Sequence, residues 1–278
     1  MEEIRICAFF DALGTREIMM GSDPERRHQL IQLIRRLDEK TSSYSPNVQN
    51  LGLGVVMTPS SQTTSFSDNV AVSFPVTTYT MPGKIGNKPH DFTVEANQFF
   101  EHLLIQIISA VWDGLKIGVL FRGGISVGRL VHDDKIIAGE ALVKSVELEK
   151  KTKFPRIEID KDVLEIKDDK GNHVINESIK EALECINGHW YVNVLDLHIG
   201  YWRDHNWYRQ QEGKNAEEIT LILSRIKQTL HQQNKESLRT GKECIIEKWT
   251  WFIEHYNKAL QTGNWKLIDG ACKEIIIE

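Results

Sequence analysis

Ile4 to Phe10 (IRICAFF), a short and nearly continuous apolar run that leads directly into Asp11, constrains the fold more than any other segment. It is too short for an ordinary helix and reads as a strand buried inside a sheet, which other layers must cover. Asp11 then stands at a strand end. A second carboxylate has a similar setting, because Thr63 to Phe66 and Val70 to Phe74 flank Ser67-Asp68-Asn69 in the pattern of a hairpin with Asp68 in its turn.

The rest of the chain supplies the covering elements. Asp23-Pro24 opens a helix with Leu30, Ile31, Ile34 and Leu37 on one face, ending near Lys40. Thr41 to Gln62 reads as a loop, and Pro75 to Pro89 as an excursion punctuated by Pro and Gly. Val94 to Leu115 has helical spacing. Val119 to Phe121 and Ile125 to Val131 read as strands around Arg122-Gly123-Gly124, where turn geometry is expected and the glycines also permit close approach of another group. Ala138 to Lys151 follows as a helix, Arg156 to Asp160 as a strand, and Trp190 to Leu197 as one further strand. This order predicts a ferredoxin-like α/β layer in which helices cover one face of a sheet. Beyond a boundary near Tyr201 the chain turns helical, with Ile219 to Leu230 and Cys244 to Leu260 as candidates. The expected division is a domain over residues 1–200 and a helical extension over 201–278.

Composition narrows the function. With 34 Lys and Arg against 39 Asp and Glu, a net charge of -5 argues against nucleic acid as a partner. The longest apolar run, Leu103 to Val111, is far short of the about 20 residues that span a bilayer, so no membrane partner is expected. The acidic start, Met1-Glu2-Glu3, lacks a basic leader, and a cytoplasmic protein is expected. The four scattered cysteines suggest neither a metal pair nor a disulfide framework and read as small buried groups.

Two aspartates on neighbouring strands can share divalent cations whose coordination a triphosphate completes, since hard oxygen donors suit Mg²⁺ or Mn²⁺. From position alone each also serves as an ordinary turn cap. His132-Asp133-Asp134 reads as a solvated turn rather than a metal cluster, and Trp249, Trp251, Phe252 and Tyr256 as a packing face.

Phe9-Phe10-Asp11-Ala12-Leu13-Gly14-Thr15 resembles the class III nucleotidyl cyclase signature, and Phe66-Ser67-Asp68-Asn69 resembles that family's second aspartate hairpin. Arg122-Gly123-Gly124-Ile125-Ser126-Val127-Gly128, followed by Gly139 and Ala141 to Glu149, is similar to the strand pair and helix that complete the cyclase core. With His132-Asp133-Asp134 and Glu247-Lys248-Trp249-Thr250-Trp251, the pattern most resembles the uridylate and cytidylate cyclases of bacterial Pycsar antiphage systems. The resemblance covers roughly residues 4 to 160.

It implies a class III cyclase sheet with covering helices, two Mn²⁺ or Mg²⁺ ions held by Asp11, Asp68 and the Ala12 carbonyl, and a nucleoside triphosphate substrate. The product would be a cyclic nucleotide, with UTP preferred and CTP next, made by a homodimer that signals to a separate effector. It also places Ile6, Thr64 and Ile136 at the substrate, Thr64 and Ile136 replacing the Lys and Asp that read adenine in purine cyclases. The family's transition-state Asn and Arg align with Val143 and Glu147, neither of which can substitute, and Arg122 is the candidate replacement cation. A catalytically silent nucleotide-binding relative and a purine cyclase are the alternatives.

Overall fold

Alternation along the first strand, β1 (Glu3–Leu13), divides the molecule into two faces. Ile6, Ala8, Phe10 and Ala12 point into the main core, while Arg5, Cys7, Phe9 and Asp11 belong to the opposite face. The computed structural model describes residues 2–42, 62–77, 79–85, 88–94, 96–133, 135–195 and 212–262.

After β1 come α1 (Thr15–Met20), α2 (Pro24–Ser42), β2 (Gln62–Phe66) and β3 (Asn69–Pro75). A separate two-stranded hairpin, β4 (Tyr79–Ile85) and β5 (Lys88–Val94), precedes α3 (Ala96–Ile117) and β6 (Leu120–His132). Then follow β7 (Ile137–Gly139), α4 (Glu140–Lys151), β8 (Ile157–Ile159), α5 (Lys161–Glu165), α6 (Glu177–Lys180), β9 (Leu183–Ile186) and β10 (His189–Val192). Two long helices, α7 (Glu212–Thr240) and α8 (Glu243–Thr262), complete the described chain.

The main sheet runs β2-β3-β1-β6-β8-β10-β9, with β7 paired to β6. β1 is antiparallel to both β3 and β6, and β6 is parallel to β8 across the α4 crossover. Its first four strands have the ferredoxin-like order, as expected from the sequence. α2 and α3 cover the core face, with Leu30, Leu33, Phe100, Leu104 and Trp112 buried among the strands' apolar side chains.

Three expectations are corrected. Helices do not cover one face alone, because α4 lies on the other: Ser145 Oγ donates to the Cys7 carbonyl at 2.8 Å, and Ser126 Oγ to the Ala141 carbonyl at 2.6 Å. Arg122-Gly123-Gly124 makes no turn but continues within β6. A Cβ on Gly124 would overlap the Ser145 carbonyl oxygen and the Leu148 side chain, so this glycine permits the close approach of α4. Finally, Cys7 is buried as expected, whereas Cys185 and Cys244 are exposed. Cys272 and the expected boundary at Tyr201 lie outside the described residues.

The C-terminal helices share the main core. Ile226, Leu230, Trp249, Phe252 and Tyr256 are buried in it, and Trp251 stacks on Phe154 with ring centroids 5.0 Å apart. None of the described helices is long and apolar enough to cross a membrane. Because Phe252 is 2% exposed inside this shared core, Phe252→Ala is expected to cost about 3–5 kcal/mol. In urea denaturation it should shift one cooperative transition, and an unshifted main transition accompanied by a small early one would contradict a shared core.

Candidate functional site

Strand register brings Asp11 and Asp68 together. Asp11 is opposite Asn69 on β3, and the next residue, Ala12, donates its backbone N–H to the Asp68 carbonyl at 3.1 Å. Asp68 belongs to a two-residue hairpin turn whose first residue, Ser67, has φ 59°, the positive value that tight hairpins require there. On the other side of β1, Asp11 is opposite Arg122.

The loop after β1 orients the second carboxylate. Gly14 has φ 87°, a left-handed value that lets the chain reverse from strand into α1 within one residue. That reversal brings Thr15 back to the turn, where its Oγ1 donates to Asp68 Oδ2 at 2.6 Å. Asn69 Nδ2 donates to the other oxygen, Oδ1, at 3.2 Å.

Asp11 is held by charge. Arg122 Nη2 donates to Asp11 Oδ2 at 3.0 Å and pairs also with Glu149 on α4, while Nη1 reaches the Thr152 carbonyl at 3.5 Å. Asp11 and Arg122 are each about one-fifth exposed, and Glu149 is nearly enclosed. Burial pushes the Glu149 carboxyl above its ordinary range, with Arg122 opposing that shift and Asp11 reinforcing it. The site is thus a guanidinium shared between two carboxylates, beside a third carboxylate oriented by a hydroxyl.

This donor set fits hard divalent cations. Asp11 keeps a second oxygen without a partner among the described residues, and Asp68 stands at the adjacent backbone position. No cluster of three or more metal-ligating side chains occurs among the described residues, so such an ion would depend on these two carboxylates, a backbone carbonyl such as that of Ala12, and a ligand's own oxygens.

No protein-family model and no curated protein matches the chain. Among solved structures it is similar to an adenylate/guanylate cyclase/hydrolase from Silicibacter pomeroyi, at 15% identity over 69% of this chain and 98% of that one, with a TM-score of 0.36. It is also similar to the catalytic core of a rhodopsin-guanylyl cyclase with converted specificity, in complex with ATPalphaS. There the identity is 12% over 69% of this chain and 97% of that one, with a TM-score of 0.38.

The residues expected at a substrate separate into three environments. Ile6 is fully buried on the face covered by α2 and α3, opposite to that of Asp11, so its side chain cannot reach a ligand bound beside Asp11; this is a correction. Ile136 is 55% exposed in the turn between β6 and β7, its backbone N–H bonded to Asp133 Oδ1 at 3.0 Å. Thr64 is half-buried on β2, in register through Ala71 with Phe9, and so shares the face of Asp11. Val143 and Glu147 lie on the exposed side of α4.

Sequence reasoning did not find Glu149 or His132. Asp133 does form the expected turn, accepting from the Lys135 and Ile136 N–H groups, while Asp134 lies outside the described residues. His132, however, is only 7% exposed. Its Nδ1 is 2.7 Å from Ser73 Oγ and its Nε2 is 2.9 Å from Thr64 Oγ1. The end of β6 therefore curls across the face to meet residues two and three strands away. Desolvation, helped by the nearby Arg5 cation and opposed by Asp133, lowers the His132 pKa to about 4.

Since His132 stays neutral in the folded chain and charges near pH 6.5 when unfolded, stability is intact above about pH 6.5 and falls as the pH drops toward 4. Urea unfolding at pH 7 and pH 5 should show a larger loss for the wild type than for His132→Gln. Equal losses would contradict a neutral, buried imidazole.

Proposed function

We propose that the chain is a metal-dependent nucleotidyl cyclase that converts a pyrimidine nucleoside triphosphate, UTP before CTP, into its 3′,5′-cyclic monophosphate and pyrophosphate. The juxtaposition of Asp11 on β1 with Asp68 in the β2–β3 turn of a ferredoxin-like sheet, with Arg122 bonded to Asp11, is the observation that supports this reading most. The sequence motifs around both aspartates, which resemble those of class III cyclases, support it independently.

Asp11, Asp68 and the Ala12 carbonyl would hold two Mn²⁺ or Mg²⁺ ions. When bound, these ions would lower the pKa of the attacking hydroxyl and neutralise charge on the triphosphate. The chain's own residues do the positioning. Thr15 and Asn69 fix the Asp68 carboxylate, and the Arg122 guanidinium, held beside Asp11, would supply positive charge next to the triphosphate. The ribose 3′-oxygen forms a bond to the α-phosphorus as the bond from that phosphorus to the bridging α–β oxygen breaks. Pyrophosphate leaves and the hydroxyl proton passes to solvent.

Residues 1–200 would carry this chemistry and 201–278 would buttress it. By the Pycsar resemblance, the enzyme would work as a cytoplasmic homodimer, its cyclic product activating a separate effector in antiphage defence. A silent nucleotide-binding relative is the second reading, favoured by one observation: Arg122 occupies an oxygen of Asp11 and pairs with Glu149 as well.

The purified chain, incubated with ATP, GTP, CTP and UTP plus Mn²⁺ and assayed by mass spectrometry, should yield a cyclic pyrimidine nucleotide. Asp68→Ala should reduce that yield by more than about 100-fold without lowering the melting temperature appreciably. A cyclic purine would contradict the base assignment. Triphosphate binding with no cyclic product under any divalent metal would favour the silent relative.

A further inference from the structure

Arg122 is short of partners where it is most enclosed. Its Nη2 serves both neighbouring carboxylates, donating to Asp11 Oδ2 at 3.0 Å while standing in an ion pair with Glu149 Oε1. Its Nη1 reaches the Thr152 carbonyl at 3.5 Å. The third nitrogen, Nε, is buried without a hydrogen-bond partner, and Glu149 Oε1 is buried without a hydrogen bond as well. An unused donor and an unused acceptor therefore lie on two side chains that are already in contact.

Unmade hydrogen bonds of this kind are costly, and buried polar groups are ordinarily paired. The shape of the guanidinium shows what would pair these two. Nε and Nη2 lie along one edge of its plane, an edge that can grip a carboxylate with two parallel bonds. Here that edge is divided, because Nη2 also donates to Asp11. A small rotation of the guanidinium would put both nitrogens on Glu149 and release Asp11.

The charge on Asp11 sets the choice between the two arrangements. Without an ion, the Asp11 carboxylate has Arg122 as its one charged partner among the described residues. A divalent cation on Asp11 reverses the preference, since it neutralises the carboxylate and repels the adjacent guanidinium. Glu149, its side chain 6% exposed in the last turn of α4, is the anion placed to receive that guanidinium. It does not follow Arg122 toward Asp11, because α4 is seated on the sheet through its close approach to Gly124 and the bond from Ser145 to the Cys7 carbonyl.

We propose that Glu149 is a positioning residue for metal binding: when a divalent cation reaches Asp11, Arg122 leaves that carboxylate and closes on Glu149 with two hydrogen bonds. This inference rests on the reading of Asp11 as a metal ligand and deepens it. Arg122 balances Asp11 until the ion arrives, and Glu149 then holds the displaced cation beside the site. Neither residue touches the ion; both act through Asp11. The contact that favours a silent relative becomes the metal-free resting arrangement of a site that accepts an ion.

Mn²⁺ titration of the purified chain without nucleotide, followed by electron paramagnetic resonance, tests this, with the site identified by its loss in Asp11→Asn. Glu149→Gln keeps the shape and removes the charge, and should weaken Mn²⁺ binding about 10-fold, because Arg122 then has only Asp11 as an anionic partner. In Arg122→Gln there is no guanidinium to receive, and adding Glu149→Gln should weaken binding by less than about 2-fold. Equal losses in the two backgrounds, which a through-space charge effect alone would give, would overturn the inference, as would the absence of Mn²⁺ binding that depends on Asp11. Should Arg122→Gln fail to fold, the wild type decides. In nitrogen-15 arginine-labelled protein the Arg122 Nε–H proton resonance, assigned by its absence from Arg122→Lys, should move downfield as Mg²⁺ saturates the site, and an unmoved resonance would overturn the inference. Because every readout is taken without nucleotide, a chain that shows this coupling but cyclises no triphosphate would refute the cyclase reading and leave the inference standing.

Discussion

Everything at the site depends on the antiparallel pairing of β1 with β3 on one side and β6 on the other. Because side chains alternate along a strand, a one-residue slip in either ladder would move its entire face to the other side of the sheet. The apolar set Ile6, Ala8, Phe10 and Ala12 prevents that slip, since its burial under α2 and α3 is lost if the register changes. The core thereby positions groups it does not touch. With Ile6 and Ala8 inward, Arg5, Cys7, Phe9 and Asp11 are necessarily on the opposite face, and Asp11 is in register with both Asn69 and Arg122.

That opposite face is polar for a physical reason. Once α4 covers its β6 side through Gly124, Ser126 and Ser145, the uncovered remainder carries charge that must be balanced locally. Two arginines meet this demand at separate points. Arg122 stands between Asp11 and Glu149, and Arg5 pairs with Glu3 and feeds the line of hydrogen bonds through Ser73. A charged group in partial burial is tolerated only with such partners. The two ends of the face are consequently unlike: one collects carboxylates, the other ends in a neutral imidazole and a hydroxyl.

How much was legible in the sequence varied with the range of the interaction. Asp11 and Asp68 were legible because each follows or interrupts a local apolar pattern, and strand alternation and turn chemistry operate over only a few residues. The β4–β5 hairpin reads as an excursion because Pro82, Gly83 and Pro89 are loop signals taken one at a time. Arg122-Gly123-Gly124 reads as a turn for the same reason, whereas the close approach that its glycines also permit is the use α4 makes of Gly124. The family resemblance puts Ile6 at the substrate, although strand parity sends it to the core. His132 and Glu149 gave no local signal. One sits in a motif that reads as a solvated turn, the other on a helix of mixed charge, and both acquire meaning from partners 59 or more residues away or on another element.

By itself the sequence determined the periodic elements, their order and hence a ferredoxin-like layer, along with the two aspartates, because these follow from short-range propensity and from the burial of apolar faces. Tertiary structure alone decided which polar groups meet. The curl of β6 across the sheet brings His132 to Thr64, and the crossover helix brings Glu149 to the guanidinium already paired with Asp11. Hydrogen bonds and ion pairs are set by distances of about 3 Å, and such distances between residues far apart in the chain exist only after the apolar core has fixed the strands that carry them.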